Sequence, residues 1–436
     1  MPTGFVTIAE IPCDPARATV FEHGWQSWSP TGSYPAATTA PRPVDPHAQI
    51  RNYRPERPAP PHGFQGEGLV AVRPAPDAPV TLFHLPDPAG PVPSIRVAAH
   101  RDRLMVTADG PVDSHVVDTP GGIPAALDRY AARVADDLRL PAPDPSTLPT
   151  VWCSWYCHWS GVTEQHIAEV LADLDTLDLP VDVVQVDDGY QSQIGDWCTP
   201  SDRFASVSGV ATRIRDHGRR AGIWTAPFLA TERSRVVAEH PDWFCAGLDA
   251  GVHWGQKLYA LDVTNESARA HLFAVFRELA GYGFDYFKVD FVYAGALPAR
   301  RREEIDPLTA YRMGIDVIRE AIGDATLVGC GAPMIPSIGL FDAVRTSPDV
   351  DPRWLPADGE ASAPAMRNAV TVGEARRFTR HWWVADPDCL IARPEVARRT
   401  RWAAHVRETG GLVSVSDRLS DLDDVGLALY RRALDA

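Results

Sequence analysis

From about residue 150 to 415 the chain repeats one pattern: a short apolar run, a polar loop, and a stretch with apolar residues three and four apart. The apolar runs fall near 150–155, 182–187, 222–228, 284–290, 326–331, 342–347, 380–385 and 411–415. Eight strands alternating with amphipathic helices have few ways to bury their apolar faces, and the pattern predicts a (β/α)8 barrel of the α/β class. Local signals agree. Thr163 precedes Ile167, Val170, Leu171, Leu174 and Leu177 at helical spacing, and Asp306-Pro307 opens a helix that Gly323 ends. A further run, Leu258–Asp262, lies in the long segment between the third and fourth strands and is expected to build the rim.

The barrel is expected to occupy 149–436. Ahead of it, residues 1–120 are rich in proline and turns, with short runs such as Gly68–Arg73, Val80–His84 and Leu104–Thr107. That spacing predicts a small antiparallel β domain with long irregular loops between about 30 and 66. Within it, Trp25 and Trp28 of His23-Gly-Trp-Gln-Ser-Trp28 read either as core or as an aromatic lip over a neighbouring site. A helical pattern at 123–138 and the stretch Leu140-Pro-Ala-Pro-Asp-Pro145 make 121–148 a linker.

In such barrels chemistry sits at the C-terminal ends of the strands. Those ends carry Trp152 and Trp155, then Asp187 and Asp188, Trp224, Lys288 and Asp290, Cys330, Arg345 and Asp349, and finally Asp386 and Asp388. Lys288 and Asp290 are two apart on one strand and face the same way. Carboxylates hydrogen-bond sugar hydroxyls and indole faces cover sugar rings, so the inventory points to a small carbohydrate. Other classes fit poorly. The 42 basic and 57 acidic residues leave −15, against nucleic acid or an anionic membrane as partner. No apolar run approaches a membrane span, and Met1–Val20 lacks the basic start and apolar core of a leader. Seven scattered cysteines read as reduced thiols, and a cytoplasmic location is expected. Cys153, Cys157 and His158 lack the second pair that a zinc site requires, and neither a metal nor a cofactor is expected.

The stretches Trp152-Cys-Ser-Trp-Tyr156, Val186-Asp-Asp-Gly-Tyr-Gln191, Gly195-Asp-Trp197, Gly222-Ile-Trp-Thr-Ala-Pro-Phe228, Lys288-Val-Asp290, Arg345-Thr-Ser-Pro-Asp-Val350 and Asp386-Pro-Asp-Cys-Leu390 resemble glycoside hydrolase family 36 in type and order. The likeness covers about 150–420, and Gly24-Trp-Gln-Ser-Trp28 is similar to the β domain ahead of the barrel in that family. The resemblance implies a retaining α-galactosidase with Asp290 as nucleophile and Asp349 as acid/base. It implies that Asp187 and Asp188 hold the 4- and 6-hydroxyls, Lys288 ring hydroxyls, and Arg345 the 2-hydroxyl. Cys330 would line the pocket floor, Asp386 and Asp388 would orient the arginine, and Trp152, Trp155, Asp196, Trp197 and Trp224 complete the expected substrate contacts. A retaining pair stands roughly 5–5.5 Å apart.

The sequence also departs from the family pattern. Its β domain is short, it ends in the last expected barrel helix without the C-terminal β domain of many members, and Phe291-Val-Tyr-Ala replaces an asparagine expected after the nucleophile. The expectation is an exo-α-galactosidase. A transglycosidase, an α-N-acetylgalactosaminidase and a sugar-binding protein without catalysis are the alternatives, and the oligomeric state is open, a homo-oligomer being one possibility.

Overall fold

The computed structural model describes residues 4–43, 50–356 and 359–435. Eight parallel strands form one sheet in which neighbours in space are neighbours in sequence: Val151–Cys153, Val183–Val186, Arg220–Thr225, Phe284–Val289, Thr326–Gly329, Ala343–Arg345, Val384–Asp386 and Ser414–Val415. The first strand pairs with the last, Val151 opposite Ser414. A parallel bridge between Leu390 and Val415 joins the seventh strand's exit to the eighth. The ring is therefore closed, as a (β/α)8 barrel requires. Its strands are buried along almost their whole length, which is why they read as unbroken apolar runs rather than as alternation.

Helix boundaries follow local chemistry. The Thr163 side chain accepts the N–H of His166 at the start of Glu164–Thr176. Asp306 caps Pro307–Ile322, and Gly323 follows at φ +61°. The seventh strand is a correction: 380–385 is not one strand, because Arg377–His381 forms a 3₁₀ turn and pairing begins at Val384. The turn is held to the preceding linker helix, Gly122–Asp137, by Arg380 and His381 on Asp128 at 2.8 and 3.0 Å.

Before that helix lie two antiparallel sheets of four and five strands. Their facing sides share a core that includes Val20, Phe64, Val70, Phe83, Ile95 and Leu104. The other side of the five-stranded sheet joins the large core of the barrel through Phe21, Leu69, Ala71 and Leu82. Between the third and fourth barrel strands, Leu229–Thr231, Val252–His253 and Gln256–Ala260 make a small antiparallel sheet over the barrel mouth. No helix among the described residues is long and apolar enough to cross a membrane.

Candidate active site

A cavity of about 500 Å³ opens at the C-terminal ends of the barrel strands. Asp187 and Asp188 follow the second strand, Lys288 is the last but one residue of the fourth with Asp290 just beyond its end, and Asp349 follows the sixth; all five line the cavity. Trp155 and Trp224 line it too.

Each carboxylate is held differently. Asp187 takes the Lys288 ammonium at 3.0 Å and the Gln185 amide at 2.6 Å on one oxygen. Asp188 accepts from Gln191 at 2.6 Å and from the Trp254 indole at 2.8 Å; burial nevertheless raises its pKa. Asp290 accepts the Trp224 indole N–H at 3.0 Å on one oxygen and the Phe291 backbone N–H at 2.7 Å on the other. Asp349 accepts from Arg345 at 2.9 Å through Oδ1. Its side chain stays 36% open to the cavity, yet loss of solvent on its protein side pushes the carboxyl up; Arg345 opposes the shift and Asp290 adds to it.

Arg345 corrects an expectation. It is not part of the cavity lining, and each of its three nitrogens already faces a carboxylate: Asp349, Asp386 at 3.3 Å and Asp388 at 2.7 Å. Asp388 is wholly buried, takes the Tyr156 hydroxyl and the N–H of Val350, and is raised to about 6, first by burial. Asp386 and Asp388 thus contact the arginine from one side, and the arginine contacts Asp349 from the other.

Four other expected contacts also stand off the cavity lining. Trp152 is buried and donates to the Asp417 carbonyl. Asp196 spends its carboxylate on the first N–H groups of the helix Arg235–Glu239, those of Arg235 and Val236. Trp197 packs edge-on against Trp224 and borders a separate void of about 20 Å³. Cys330 is buried, and burial pushes its thiol up.

Other residues complete the wall, and the sequence reading missed most of them. Trp254 and Gly255 form the two-residue turn of the hairpin between Val252–His253 and Gln256–Ala260, with φ +51° and +67°. Positive φ at both positions is what a tight hairpin turn demands, and a tryptophan there is strained. Trp159, Trp254 and Phe291 all combine positive φ with a place on the cavity wall, and Asp388 behind Arg345 shares it at φ +89°. Strain of this kind gathers where the surrounding structure over-determines a functional geometry. His253, Glu360 and Ser362 line the cavity as well. From the connections between the N-terminal strands come Trp28, Arg51 and Asn52, so the aromatic-lip reading fits Trp28. Trp25 instead lies buried under the Arg54 guanidinium beside a cavity of about 280 Å³. Among the described residues no group of three His, Cys, Asp or Glu side chains is placed to hold a metal ion.

The model of the family described as Melibiase matches residues 144–315, which carry Asp187, Asp188, Lys288 and Asp290 of the cavity wall. The structure aligns over the whole chain with the α-galactosidase TtGalA of Thermus thermophilus, solved with p-nitrophenyl α-D-galactopyranoside. The match covers 90% of that protein at 30% identity with a TM-score of 0.82. The chain belongs to glycoside hydrolase family 36. The same Thermus protein has also been solved with stachyose. A second family 36 enzyme, AgaA of Geobacillus stearothermophilus, shares the fold at a TM-score of 0.64 and 14% identity; the chain covers 61% of it. Alpha-galactosidase 2 of Pediococcus pentosaceus is 25% identical over 178 residues, 37% of this chain and 24% of that protein. The chain thus matches about a quarter of that longer relative's length.

Proposed function

We propose that this chain is a retaining, exo-acting α-galactosidase, with Asp290 as nucleophile and Asp349 as acid/base. The observation that carries the reading is the unlike setting of two carboxyls in one cavity. Both oxygens of Asp290 accept N–H groups, the bonding a carboxylate uses. Asp349 is raised by burial and by the nearby Asp290 charge, as a proton donor needs.

In this reading Asp187, Asp188 and Lys288 hold the hydroxyls of a terminal galactosyl residue. An Asp290 oxygen attacks the anomeric carbon as the bond to the leaving oxygen breaks, and Asp349 gives that oxygen its proton. The product of this step is a β-galactosyl ester on Asp290. Asp349, now a carboxylate, takes a proton from water, whose oxygen attacks the same carbon and releases α-galactose and free Asp290. Arg345 serves both halves by fixing Asp349 while it gains and loses its proton.

Azide tests both assignments in one experiment. With an activated aryl α-galactoside, Asp290→Ala should lose several orders of magnitude in rate and regain part of it with azide, yielding the β-azide. Asp349→Ala should accumulate the galactosyl-enzyme after a burst and turn over faster with azide, yielding the α-azide. Wild-type hydrolysis by Asp290→Ala would end the reading. Products from wild-type enzyme at high sugar acceptor separate hydrolysis from transglycosylation, and an aryl α-N-acetylgalactosaminide separates the two sugars.

A further inference from the structure

The loop Trp25–Ser29 leaves the N-terminal sheets and lies against the barrel mouth. Its backbone is tied to the segment after the fifth barrel strand. Gln26 bridges to Pro333, Ser27 donates to the Ala332 carbonyl at 3.2 Å, and Met334 donates to the Trp25 carbonyl at 2.9 Å. The same loop captures a second segment, because the Gln26 amide donates to the Arg51 carbonyl at 2.6 Å and the Ser29 hydroxyl to the Asn52 carbonyl. Trp28, Arg51 and Asn52 thereby reach the cavity wall, with the Trp28 ring edge-on and 5.0 Å from Phe291, the residue after Asp290.

Arg376, about 350 positions further on, reaches back to this loop. It caps the helix Met366–Ala375, its guanidinium is 1% exposed, and it takes part in no ion pair among the described residues. Its NH2 donates to the carbonyls of Gln26 at 2.8 Å and Ser29 at 3.2 Å. Its NH1 donates to the carbonyl of Ser27 and, at 2.9 Å, to that of Thr346, the neighbour of Arg345. A buried cation without a counter-charge is costly unless its donors are used, and here four carbonyls on two loops take both terminal nitrogens, leaving only Nε without a partner among the described residues. Burial lowers the group to about 9, which leaves it charged at neutral pH.

We propose that Arg376 is a positioning residue for substrate binding. It locks the Trp25–Ser29 loop to the segment that follows the sixth barrel strand, and so sets Trp28, Arg51 and Asn52 against the substrate. This rests on the glycosidase reading. The alternative is that Arg376 only joins two parts of the fold, and kinetics separate the two.

Arg376→Lys keeps the charge, but one ammonium cannot span four carbonyls. For raffinose, KM should rise about tenfold with kcat within about twofold, since misplaced binding groups weaken complexation before chemistry. Amide exchange in a peptide covering 25–29 should quicken, and in a Trp28→Ala background the lysine change should raise KM by a smaller factor, since only Arg51 and Asn52 remain to be displaced. A lower Tm with KM unchanged, or an equal KM rise in both backgrounds, would overturn the proposal. Should Arg376→Lys fail to fold, Ser29→Ala loosens the same loop through its tie to Asn52 and should raise KM in the same pattern; unchanged KM there also overturns it. Should wild-type enzyme turn over neither raffinose nor an aryl α-galactoside, the glycosidase reading falls. Calorimetric raffinose affinities of the same variants would then decide the role of Arg376.

Discussion

The indole N–H of Trp254 meets Oδ2 of Asp188 across 2.8 Å, although 66 residues separate the two in sequence. A hydrogen bond to a charged group contributes about 1.5–3 kcal/mol. Trp254→Phe should therefore lower kcat/KM about ten- to a hundredfold if Asp188 holds the substrate. The pH profile should move as well. Burial raises Asp188 and the indole pulls it back down, so removing the donor raises it further. The acidic limb of kcat/KM should shift to higher pH, and an unmoved limb would separate Asp188 from substrate binding.

Lys288→Met should destabilise the protein by about 3–5 kcal/mol, because it leaves the buried Asp187 without its ammonium. The midpoint of urea unfolding measures this. A loss under about 1 kcal/mol would mean that Gln185 and the Asp188 backbone N–H suffice to hold Asp187.

Asp349→Asn should abolish turnover of unactivated galactosides while becoming relatively more stable as pH rises. The folded-state pKa of Asp349 lies above its unfolded value. The folded protein then binds the extra proton between those two values, and wild-type stability falls as pH rises through that window. The amide keeps the shape without the charge. The Tm difference, variant minus wild type, should grow from pH 4 to pH 8; a flat difference would show that Asp349 is not raised.

Gly331→Ala should impair both stability and binding. Gly331 has φ +59°, and an added Cβ would stand 3.1 Å from the Trp28 ring and 3.2 Å from the Phe291 backbone. The left-handed backbone alone costs an alanine about 1–2 kcal/mol. Displacement of Trp28 should add a rise in KM beyond what the lower Tm explains. Unchanged KM would mean that Trp28 yields without consequence for the ligand.

The features that could be read in advance were those set by local chemistry or by strand ends. Thr163 and Asp306 announce helices because a cap needs only its next three residues. Asp187, Lys288, Asp290 and Asp349 were legible because a barrel brings all strand ends to one face. Contacts that depend on distant pairing were not legible. Trp254 enters the wall through a hairpin turn and Arg51 and Asn52 through a short helical segment captured by Gln26, while Arg376 reaches the loop Trp25–Ser29 through carbonyls about 350 residues away. Asp196 misled in the opposite direction. It stands within the stretch Gly195-Asp-Trp197 that carries the family resemblance, but its carboxylate is taken up by the helix at Arg235. The surroundings of Arg345 were not legible either, since sequence cannot show that three carboxylates converge on one guanidinium.

The cavity wall built by Trp28, Arg51 and Asn52 has a consequence for anyone who trims, splices or permutes this chain. A fragment beginning at residue 149 would retain every barrel strand and every charged group on the pocket floor, yet one side of its binding cleft would be missing. New termini are better placed in an exposed turn such as His217–Gly218, at the N-terminal end of the third barrel strand and so at the opposite end of the barrel from the cleft. The cavity is closed at the seam between the sheets and the barrel, and a transplanted barrel would keep its whole wall only if that seam travelled with it.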